Sequence, residues 1–298
     1  QKQAAQIEEH ISQKDFYHIV GHRNTASYGI QKLMWVRDNE PEIYEQTYKT
    51  LNAKDYIVFK LTGKFYTEYS DGNSNGCFDL NNLKWSEEII EYAGIDPDKL
   101  PELKPSTFVA GTVTEEAAKA TGLAAGTPVV LGAGDGVTAN VGAGSIAPGK
   151  TYCCMGTSAW ITTTSEKPIF DENMRTVTWA HAIPGLYAPN GTMQCAGRAY
   201  SWAKNTLCRL EMHNAKLHGK SAYDYMNEMI EKSPIGANNV IFLPYLLGER
   251  APRWNANAKG AFIGLKSEDQ LGDMLRSVLE GVTMNLAIIL ERWYYKDK

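Results

Sequence analysis

The sequence predicts a mixed α/β protein built from about two domains, and three observations lead to this prediction. A chain of 298 residues is too long for one domain of average size. Apolar residues recur at helical spacing through residues 1–60, whereas residues 127–131 form a compact apolar run that is typical of a buried strand. The sequence changes to glycine-dense segments close to Gly144, so we expect one domain over residues 1–144 and a second over residues 145–298.

The first domain is predicted to begin with helices and to continue with short strands and loops. Apolar stripes at helical spacing, the second of them introduced by Ser27, predict the helices of residues 1–60. Residues 65–67 carry a short β pattern after a turn signal. Residues 70–76 are rich in Ser, Asp, Gly and Asn, so we expect a surface connection or a binding loop there.

The last helix has the clearest pattern in the chain. Ser267 and Gln270 have the spacing of a capping box, which predicts the start of the helix. One face of the helix is apolar and predicts packing against a core, with no chemistry implied. Its members are Leu271, Met274, Leu275, Val278, Leu279, Val282, Leu286, Ile289, Leu290 and Trp293.

Composition and charge exclude several classes of protein. The chain is 43% hydrophobic and 21% charged, and no run approaches the roughly 18 apolar residues that span a bilayer, so no membrane partner is expected. The net charge of −4 comes from 34 acidic and 30 basic residues that are mixed along the chain. This distribution lacks the basic stripe that nucleic-acid binding requires.

Cysteine and histidine usage predicts neither disulfides nor a metal site. The five cysteines are an odd number without a CxxC pair, and the six histidines have no partner at metal-ligand spacing. We therefore expect a protein of the reducing cytoplasm. The pair Cys153-Cys154 lies in a predicted strand and is interpreted as two small buried apolar residues.

The glycine-rich segment after the first strand carries an aspartate. In residues 131–136 the carboxylate of Asp135 is flanked by residues without bulk, so that a ligand can approach both the backbone and the side chain. Two other interpretations stay open. Asp135 could be the N-cap of a helix over residues 137–141. The turn could also belong to a Rossmann dinucleotide site, although that fingerprint needs Gly or Ala where Val137 stands.

A second candidate site is the turn at residues 155–158. The β-branched and aromatic residues of 150–164 predict two strands joined by a tight turn at Gly156-Thr157-Ser158. Such a turn offers backbone N–H groups and two hydroxyls to phosphate oxygens, while an ordinary hairpin explains the same pattern. The acid at 135 and this donor turn stand about 20 residues apart, and the pairing favours a nucleotide site more than either motif alone.

Short segments of unusual composition are spread over nearly the whole chain. They are residues 32–39 (KLMWVRDN), 67–71 (TEYSD), 76–79 (GCFD), 85–86 (WS), 132–136 (GAGDG), 155–158 (MGTS), 181–185 (HAIPG), 244–250 (PYLLGER) and 260–264 (GAFIG). In this order they resemble the FGGY family of carbohydrate kinases, and especially its xylulose-kinase-like branch.

The resemblance implies a fold and a set of site residues. The fold would be the two-domain ribonuclease-H-like α/β fold of actin and hexokinase, here partial, with sugar and ATP bound between the domains. Residues 1–144 would be the remaining part of the sugar-binding domain, and residues 145–298 the first part of the nucleotide-binding domain. Asp135 would be the catalytic base, and Asp135 and Gly136 would contact the sugar. The nucleotide, accompanied by Mg²⁺, would be contacted at its phosphates by Gly156, Thr157 and Ser158, and elsewhere by Gly197 and Ser201.

The implied activity is transfer of the γ-phosphate of ATP to a hydroxyl of a small sugar. A ketopentose such as D-xylulose is the first expectation, and gluconate, ribulose or glycerol are alternatives. A non-catalytic sugar- or nucleotide-binding protein with the kinase fold is a second class, and a Rossmann dehydrogenase is a third. The sequence leaves the oligomeric state open, including a homodimer.

Three family motifs have no counterpart in this sequence. They are the first phosphate motif, Asp-x-Gly-Thr, the early sugar-binding loop and the late glycine-rich adenosine motif. The chain also begins at Gln1 without an initiator Met and stops at Lys298 just beyond an apolar helix. We therefore expect a piece of a longer protein, inactive by itself.

Overall fold

The computed structural model describes the backbone of residues 1–294 and the side chains through Glu291. Over these residues the chain divides into two compact units. The first unit comprises Gln1–Tyr152 and Thr162–Asn190, and the second comprises Cys153–Ile161 and the chain from Gly191 onward.

Helices and short strands alternate along the described chain, in agreement with the predicted α/β class. The helices are α1 (Lys2–Glu8), α2 (Gln13–Val20), α3 (Gly29–Asn39), α4 (Pro41–Gln46), α5 (Ala53–Thr62), α6 (Tyr69–Ser74), α7 (Glu87–Ala93), α8 (Glu115–Thr121), α9 (Asp135–Gly142), α10 (Gly197–Leu207), α11 (Arg209–His218), α12 (Ala222–Lys232) and α13 (Leu271–Tyr294). Among residues 1–294, none of these helices combines the length and the apolar character needed to cross a membrane.

The strands form small sheets. They are β1 (Tyr66–Glu68), β2 (Phe78–Asp79), β3 (Lys84–Trp85), β4 (Glu102–Lys104), β5 (Val109–Thr112), β6 (Pro128–Val130), β7 (Thr151–Met155), β8 (Ala159–Thr163), β9 (Val177–Ala180), β10 (Tyr187–Met193), β11 (Ile241–Leu243) and β12 (Ala261–Ile263). Strands β1 and β4 pair in parallel, while β2–β3, β5–β6 and β11–β12 are antiparallel pairs. A larger sheet has the order β7-β8-β10-β9, and the neighbouring strands β7 and β8 confirm the predicted hairpin.

The N-terminal core confirms the helical prediction for residues 1–60. Helix α1 contacts α3 and α7, and the apolar stripes face one another there. The prediction that Ser27 introduces the second stripe is wrong by one residue, because Tyr28 occupies the cap position of α3 and the Ser27 hydroxyl bonds to the Thr25 hydroxyl at 2.7 Å. The buried side chains of this core are Ile7, Ile11, Phe16, Val20, Ile30, Leu33, Met34, Tyr44, Cys77, Ile89, Ile90, Ala93, Ile95 and Leu100.

Strand β6 is mostly exposed, with only Val129 half-buried, which corrects the prediction of a buried strand at residues 127–131. It pairs with β5, and helix α5 contacts both strands. Leu131 lies in a small core with Val58 and Ala110, whereas Val130 is 55% exposed. Successive side chains of a strand point to opposite faces, and α5 covers the face of Leu131. The apolar run alone could not reveal this difference between faces.

Helix α6 corrects the prediction of a loop at residues 70–76. Its residues are weak helix formers, but the carboxylate of Glu68 accepts hydrogen bonds from the backbone N–H groups of Ser70 and Asp71, each at 2.8 Å. These bonds satisfy donors that have no partner within the first turn of a helix. The cap therefore stabilises a short helix that local propensity does not favour.

The second unit is built around α13, which packs against β11, α10 and α12. The predicted capping box is wrong: the helix begins at Leu271, the backbone N–H of Gln270 donates to Asp273 at 2.8 Å, and the Ser267 hydroxyl donates to Glu268. Leu279 is 37% exposed, which corrects its predicted place on the packed face. The side chain of Trp293 lies outside the described residues. The buried members of the predicted face are Leu275, Val278, Val282, Leu286 and Ile289.

Candidate active site

Asp135 stands at the first position of α9 with its side chain exposed. Its Oδ1 accepts a hydrogen bond from the backbone N–H of Gly136 at 2.7 Å. The alternative prediction that Asp135 is the N-cap is wrong by one residue, because Gly134 occupies the cap position. The carboxylate therefore lies in the first turn, near the positive end of the helix dipole, and is open to a ligand.

Backbone hydrogen bonds hold the segment that leads to Asp135. The N–H of Gly132 donates to the carbonyl of Ser106 at 3.0 Å, and the N–H of Gly134 donates to the Ser70 hydroxyl at 2.9 Å. Gly132 has a φ of 71°, a conformation that favours glycine. A β-carbon added to Gly134 would lie 3.1 Å from Asp71 Oδ1, so α6 approaches this segment closely.

Glu68 is fully buried beneath this segment, and each of its oxygens accepts two hydrogen bonds. Oε1 accepts from the Ser70 hydroxyl at 2.6 Å and from the N–H of Asp71 at 2.8 Å. Oε2 accepts from the N–H of Ser70 at 2.8 Å and from the Ser106 hydroxyl at 2.8 Å. A buried carboxylate with this many donors is well satisfied and fixes the groups around it.

Lys54 occupies the middle of a group of three carboxylates. Its Nζ lies 2.6 Å from Asp55, 3.4 Å from Asp71 and 3.9 Å from Glu68. Burial lowers the pKa of Lys54, but the three carboxylates outweigh burial and raise it. For Asp71, burial raises the pKa to about 6, Lys54 opposes the rise, and Glu68 and Asp55 add to it.

The structure gives no metal centre among the described residues. Within residues 1–294, no group of three or more His, Cys, Asp or Glu is arranged to hold a metal ion. Among the three carboxylates that surround Lys54, the positive charge comes from the ammonium of Lys54 itself.

Replacing Asp71 by asparagine is expected to change how stability depends on pH. The pKa of Asp71 rises from 3.8 to about 6 in the folded protein, so the folded state binds more protons than the unfolded state between these values. The stability that this group contributes is therefore complete below about pH 4 and is lost as the pH rises through about 6. Relative to the wild type, the variant should gain at most about 3 kcal/mol in unfolding free energy over this range.

Urea unfolding of both proteins between about pH 4 and pH 7 measures this difference. Asp98→Asn, which makes the same chemical change at an exposed carboxylate, is the matched control for the substitution itself. A difference between Asp71→Asn and the wild type that stays constant with pH would contradict the raised pKa.

The turn between β7 and β8 is fastened to the start of α10. The N–H of Gly156 donates to the carbonyl of Ser158 at 2.9 Å and closes the turn. This N–H is therefore bonded within the turn, in contrast to the prediction that it is offered to phosphate oxygens. The carbonyl of Gly156 accepts from the N–H of Gly197 at 2.9 Å, and the carbonyl of Thr157 accepts from the N–H of Arg198 at 3.1 Å. Thr157 is exposed, so its hydroxyl can reach a ligand.

Gly197 has no room for a side chain. A β-carbon at this position would lie 2.5 Å from the carbonyl oxygen of Gly156, which is a backbone atom and cannot rotate away. Ser201 stands one turn further along α10, and its hydroxyl is hydrogen-bonded to the Tyr223 hydroxyl at 3.1 Å.

The cysteines next to this turn differ from the prediction. Cys153 is exposed and Cys154 is half-buried, whereas both were expected to be buried. Residues of β7 alternate between exposed and half-buried positions, as successive side chains of a strand do.

Two protein-family models match the sequence and together span most of it. They are described as the FGGY family of carbohydrate kinases, N-terminal domain, over residues 1–142, and the FGGY family of carbohydrate kinases, C-terminal domain, over residues 151–296. The chain belongs to the FGGY family of carbohydrate kinases.

Individual relatives agree with this membership. The chain is 33% identical over 283 residues to a gluconokinase from Bacillus licheniformis, which covers 95% of this chain and 55% of the relative. It is 31% identical over 268 residues to a xylulose kinase from Bacillus subtilis (strain 168), covering 90% of this chain and 52% of the relative. The chain thus spans about half the length of the curated relatives that it matches.

A solved structure gives the same result for the fold. The crystal structure of a ligand-bound xylulose kinase from Lactobacillus acidophilus matches with a TM-score of 0.88 and 29% sequence identity, covering 99% of this chain and 58% of that one. The predicted two-domain ribonuclease-H-like fold, present in part, is confirmed by this likeness and by the family match.

The predicted site residues of this FGGY chain fall into two groups. Asp135 and Gly136 are adjacent in the first unit. The second unit contains the rest, and there the structure brings the turn at residues 156–158 together with Gly197 at the start of α10. Their roles in binding and catalysis stay predictions.

Sequence reasoning assigned no role to the residues that lie beneath the segment leading to Asp135. An acid followed by Ser and Asp at a strand end is a capping signal that could have identified the role of Glu68. No local signal could identify Lys54 or Ser106, which are distant from Glu68 in the sequence. Ser70 and Glu68 lie in the segment 67–71 that carries part of the family resemblance, but no pattern in the sequence predicts the contacts of Glu68 with Lys54 and Ser106.

Proposed function

We propose that the protein to which this chain belongs is an ATP-dependent sugar kinase that phosphorylates a hydroxyl of a ketopentose such as D-xylulose. The observation that carries the proposal is the exposed carboxylate of Asp135 at a glycine-lined helix start, whose backbone is hydrogen-bonded through Gly134 to the buried Ser70. Membership of a carbohydrate kinase family and the likeness to xylulose kinases support it.

In the proposed reaction Asp135 is the catalytic base. Its carboxylate accepts a hydrogen bond from the sugar hydroxyl and takes the proton as the oxygen forms its bond to the γ-phosphorus. The bond from the γ-phosphorus to the β–γ bridging oxygen breaks, and ADP leaves with that electron pair. Phosphoryl transfer has a loose transition state, so the hydroxyl becomes acidic late and a carboxylate is a sufficient base.

The turn at residues 156–158 and the start of α10 are proposed as the nucleotide site. Thr157 and Ser158 would donate their hydroxyls to phosphate oxygens. Gly156 would leave space for a phosphate, and Gly197 would let the start of α10 pack against the turn. Ser201 would lie beside the nucleotide, where its hydroxyl is already oriented by Tyr223.

We propose Mg²⁺ as the ion that accompanies ATP, because nucleotide phosphates bind it in enzymes of this kind. Within residues 1–294 no group of three or more His, Cys, Asp or Glu could hold the ion without the phosphates, and each step above is assigned to the chain's own residues, the sugar and ATP. We also propose residues 1–144 as part of a sugar-binding domain and residues 145–298 as part of a nucleotide-binding domain.

Gluconate is the second candidate substrate, because the relative with 33% identity is a gluconokinase. ADP release by the full-length protein, measured with D-xylulose, gluconate, ribulose and glycerol, distinguishes the candidates. The proposal expects the highest kcat/KM with D-xylulose. A higher value with gluconate would replace the substrate, and ATP binding without any sugar-dependent ADP release would favour a non-catalytic binding protein.

A further inference from the structure

We propose that Ser70, held by the buried Glu68, is a positioning residue that fixes Asp135 for the reaction. The proposal rests on the function proposed above, because it assigns a role to Ser70 through the base. Ser70 is 5% exposed and therefore acts through the groups that it touches in α6 and in the segment before α9.

The connection from Glu68 to Asp135 has two hydrogen bonds. The Ser70 hydroxyl donates to Glu68 Oε1 at 2.6 Å, which aims the oxygen lone pairs of Ser70 away from Glu68. One of them accepts the N–H of Gly134 at 2.9 Å. Gly134 is bonded directly to Asp135, so the hydroxyl determines where the first turn of α9 begins.

Asp135 depends on these backbone bonds because little side-chain packing surrounds it. A β-carbon added at Gly132 or Gly136 would meet no atom within 4 Å, whereas one added at Gly134 would lie 3.1 Å from Asp71 Oδ1. The segment is therefore open at Gly132 and Gly136, and glycine imposes few backbone restraints of its own, so the hydrogen bonds of Gly132 and Gly134 fix the conformation of the segment. A displacement of about 1 Å in a reacting group can cost about 100-fold in rate, so a bond that fixes this segment affects catalysis.

Ser106 offers a matched comparison. The Ser106 hydroxyl also donates to Glu68, at 2.8 Å, and Ser106 is also hydrogen-bonded to the glycine segment. The bond to the Gly132 N–H, however, comes from the backbone carbonyl of Ser106, which an alanine keeps. Both Ser→Ala variants therefore remove one hydroxyl from Glu68, but only Ser70→Ala removes an acceptor from the segment that carries Asp135.

The first test compares both variants in the full-length protein with the sugar that the wild type turns over. Ser70→Ala should lower kcat by about 10- to 100-fold with the KM for ATP changed less than about two-fold, whereas Ser106→Ala should lower kcat less than about three-fold. Equal losses of kcat in the two variants would overturn the proposal. If Ser70→Ala does not fold, Ser70→Cys keeps the size and weakens the hydrogen bond, and the same comparison applies.

A double-mutant cycle separates positioning of Asp135 from a general loss of stability. Residual transfer from radiolabelled ATP is measured for Asp135→Asn with and without Ser70→Ala. If Ser70 acts through Asp135, the second substitution should lower the rate of Asp135→Asn by less than about three-fold. A loss as large as in the wild-type background would overturn the proposal.

Hydrogen exchange tests the same bond without turnover. In Ser70→Ala the amides of residues 131–137 should exchange at least about ten-fold faster, and in Ser106→Ala they should stay within about three-fold of the wild type. Unchanged exchange in Ser70→Ala would overturn the proposal. A wild type without any sugar kinase activity would refute the proposed function, and exchange would still decide whether Ser70 holds the segment.

Discussion

Replacing Asp135 by asparagine is expected to lower kcat by about 100- to 10,000-fold, roughly 3 to 5 kcal/mol of transition-state stabilisation. Asparagine keeps the size of the side chain and can still accept a hydrogen bond from the N–H of Gly136, as Asp135 Oδ1 does. It cannot take the proton of the sugar hydroxyl. Because the side chain is exposed, the unfolding midpoint should change little.

Steady-state kinetics of the full-length protein measure this effect. Asp98→Asn is a suitable control, since it makes the same chemical change at an exposed carboxylate in the first unit and should keep kcat within about two-fold. Retention of more than about a tenth of the wild-type kcat in Asp135→Asn would contradict the role of Asp135 as the base.

Replacing Gly197 by alanine is expected to have the second largest effect, at the nucleotide side. The new β-carbon would lie 2.5 Å from the carbonyl oxygen of Gly156, so the turn and the start of α10 must separate. The hydrogen bond between the N–H of Gly197 and Gly156 would be lost or lengthened. We expect the KM for ATP to rise by at least about ten-fold and the free energy of unfolding to fall by about 1 to 3 kcal/mol.

The matched control is Gly142→Ala, at the last residue of α9. A β-carbon there meets no atom within 4 Å, so the substitution should be neutral or stabilise the protein by up to about 1 kcal/mol. Nucleotide titration and thermal unfolding of the two variants provide the comparison. Wild-type affinity for ATP in Gly197→Ala would show that the turn does not contact the nucleotide.

The sequence predicted those features that short-range patterns determine. The hairpin at residues 156–158 follows from β-branched residues around a glycine, and the exposed Asp135 follows from a strand run that ends in glycines. The buried face of α13 likewise follows from helical spacing, with Leu279 as the exception. Each of these patterns lies within about 20 residues, so the local sequence contains most of the information.

The features that the sequence did not predict depend on contacts between distant residues. Helix α6 forms in a polar run because Glu68 caps it, and one of the hydrogen bonds that satisfy the buried Glu68 comes from Ser106, 38 residues away. The exposure of Val130 depends on which face α5 covers. Neither secondary-structure propensity nor hydrophobic periodicity predicts these long-range contacts, and so the hydrogen bonds beneath Asp135 became visible only in the structure.

The most direct test of the central claim is detection of the phosphorylated sugar itself. The full-length protein is incubated with ATP, Mg²⁺ and each candidate sugar, and the products are followed by phosphorus NMR, with Asp135→Asn in parallel. We expect a sugar phosphate and ADP to appear in equal amounts with the wild type and to form far more slowly with the variant. ADP with free phosphate but no sugar phosphate, for every sugar, would contradict the assignment of this protein as a sugar kinase.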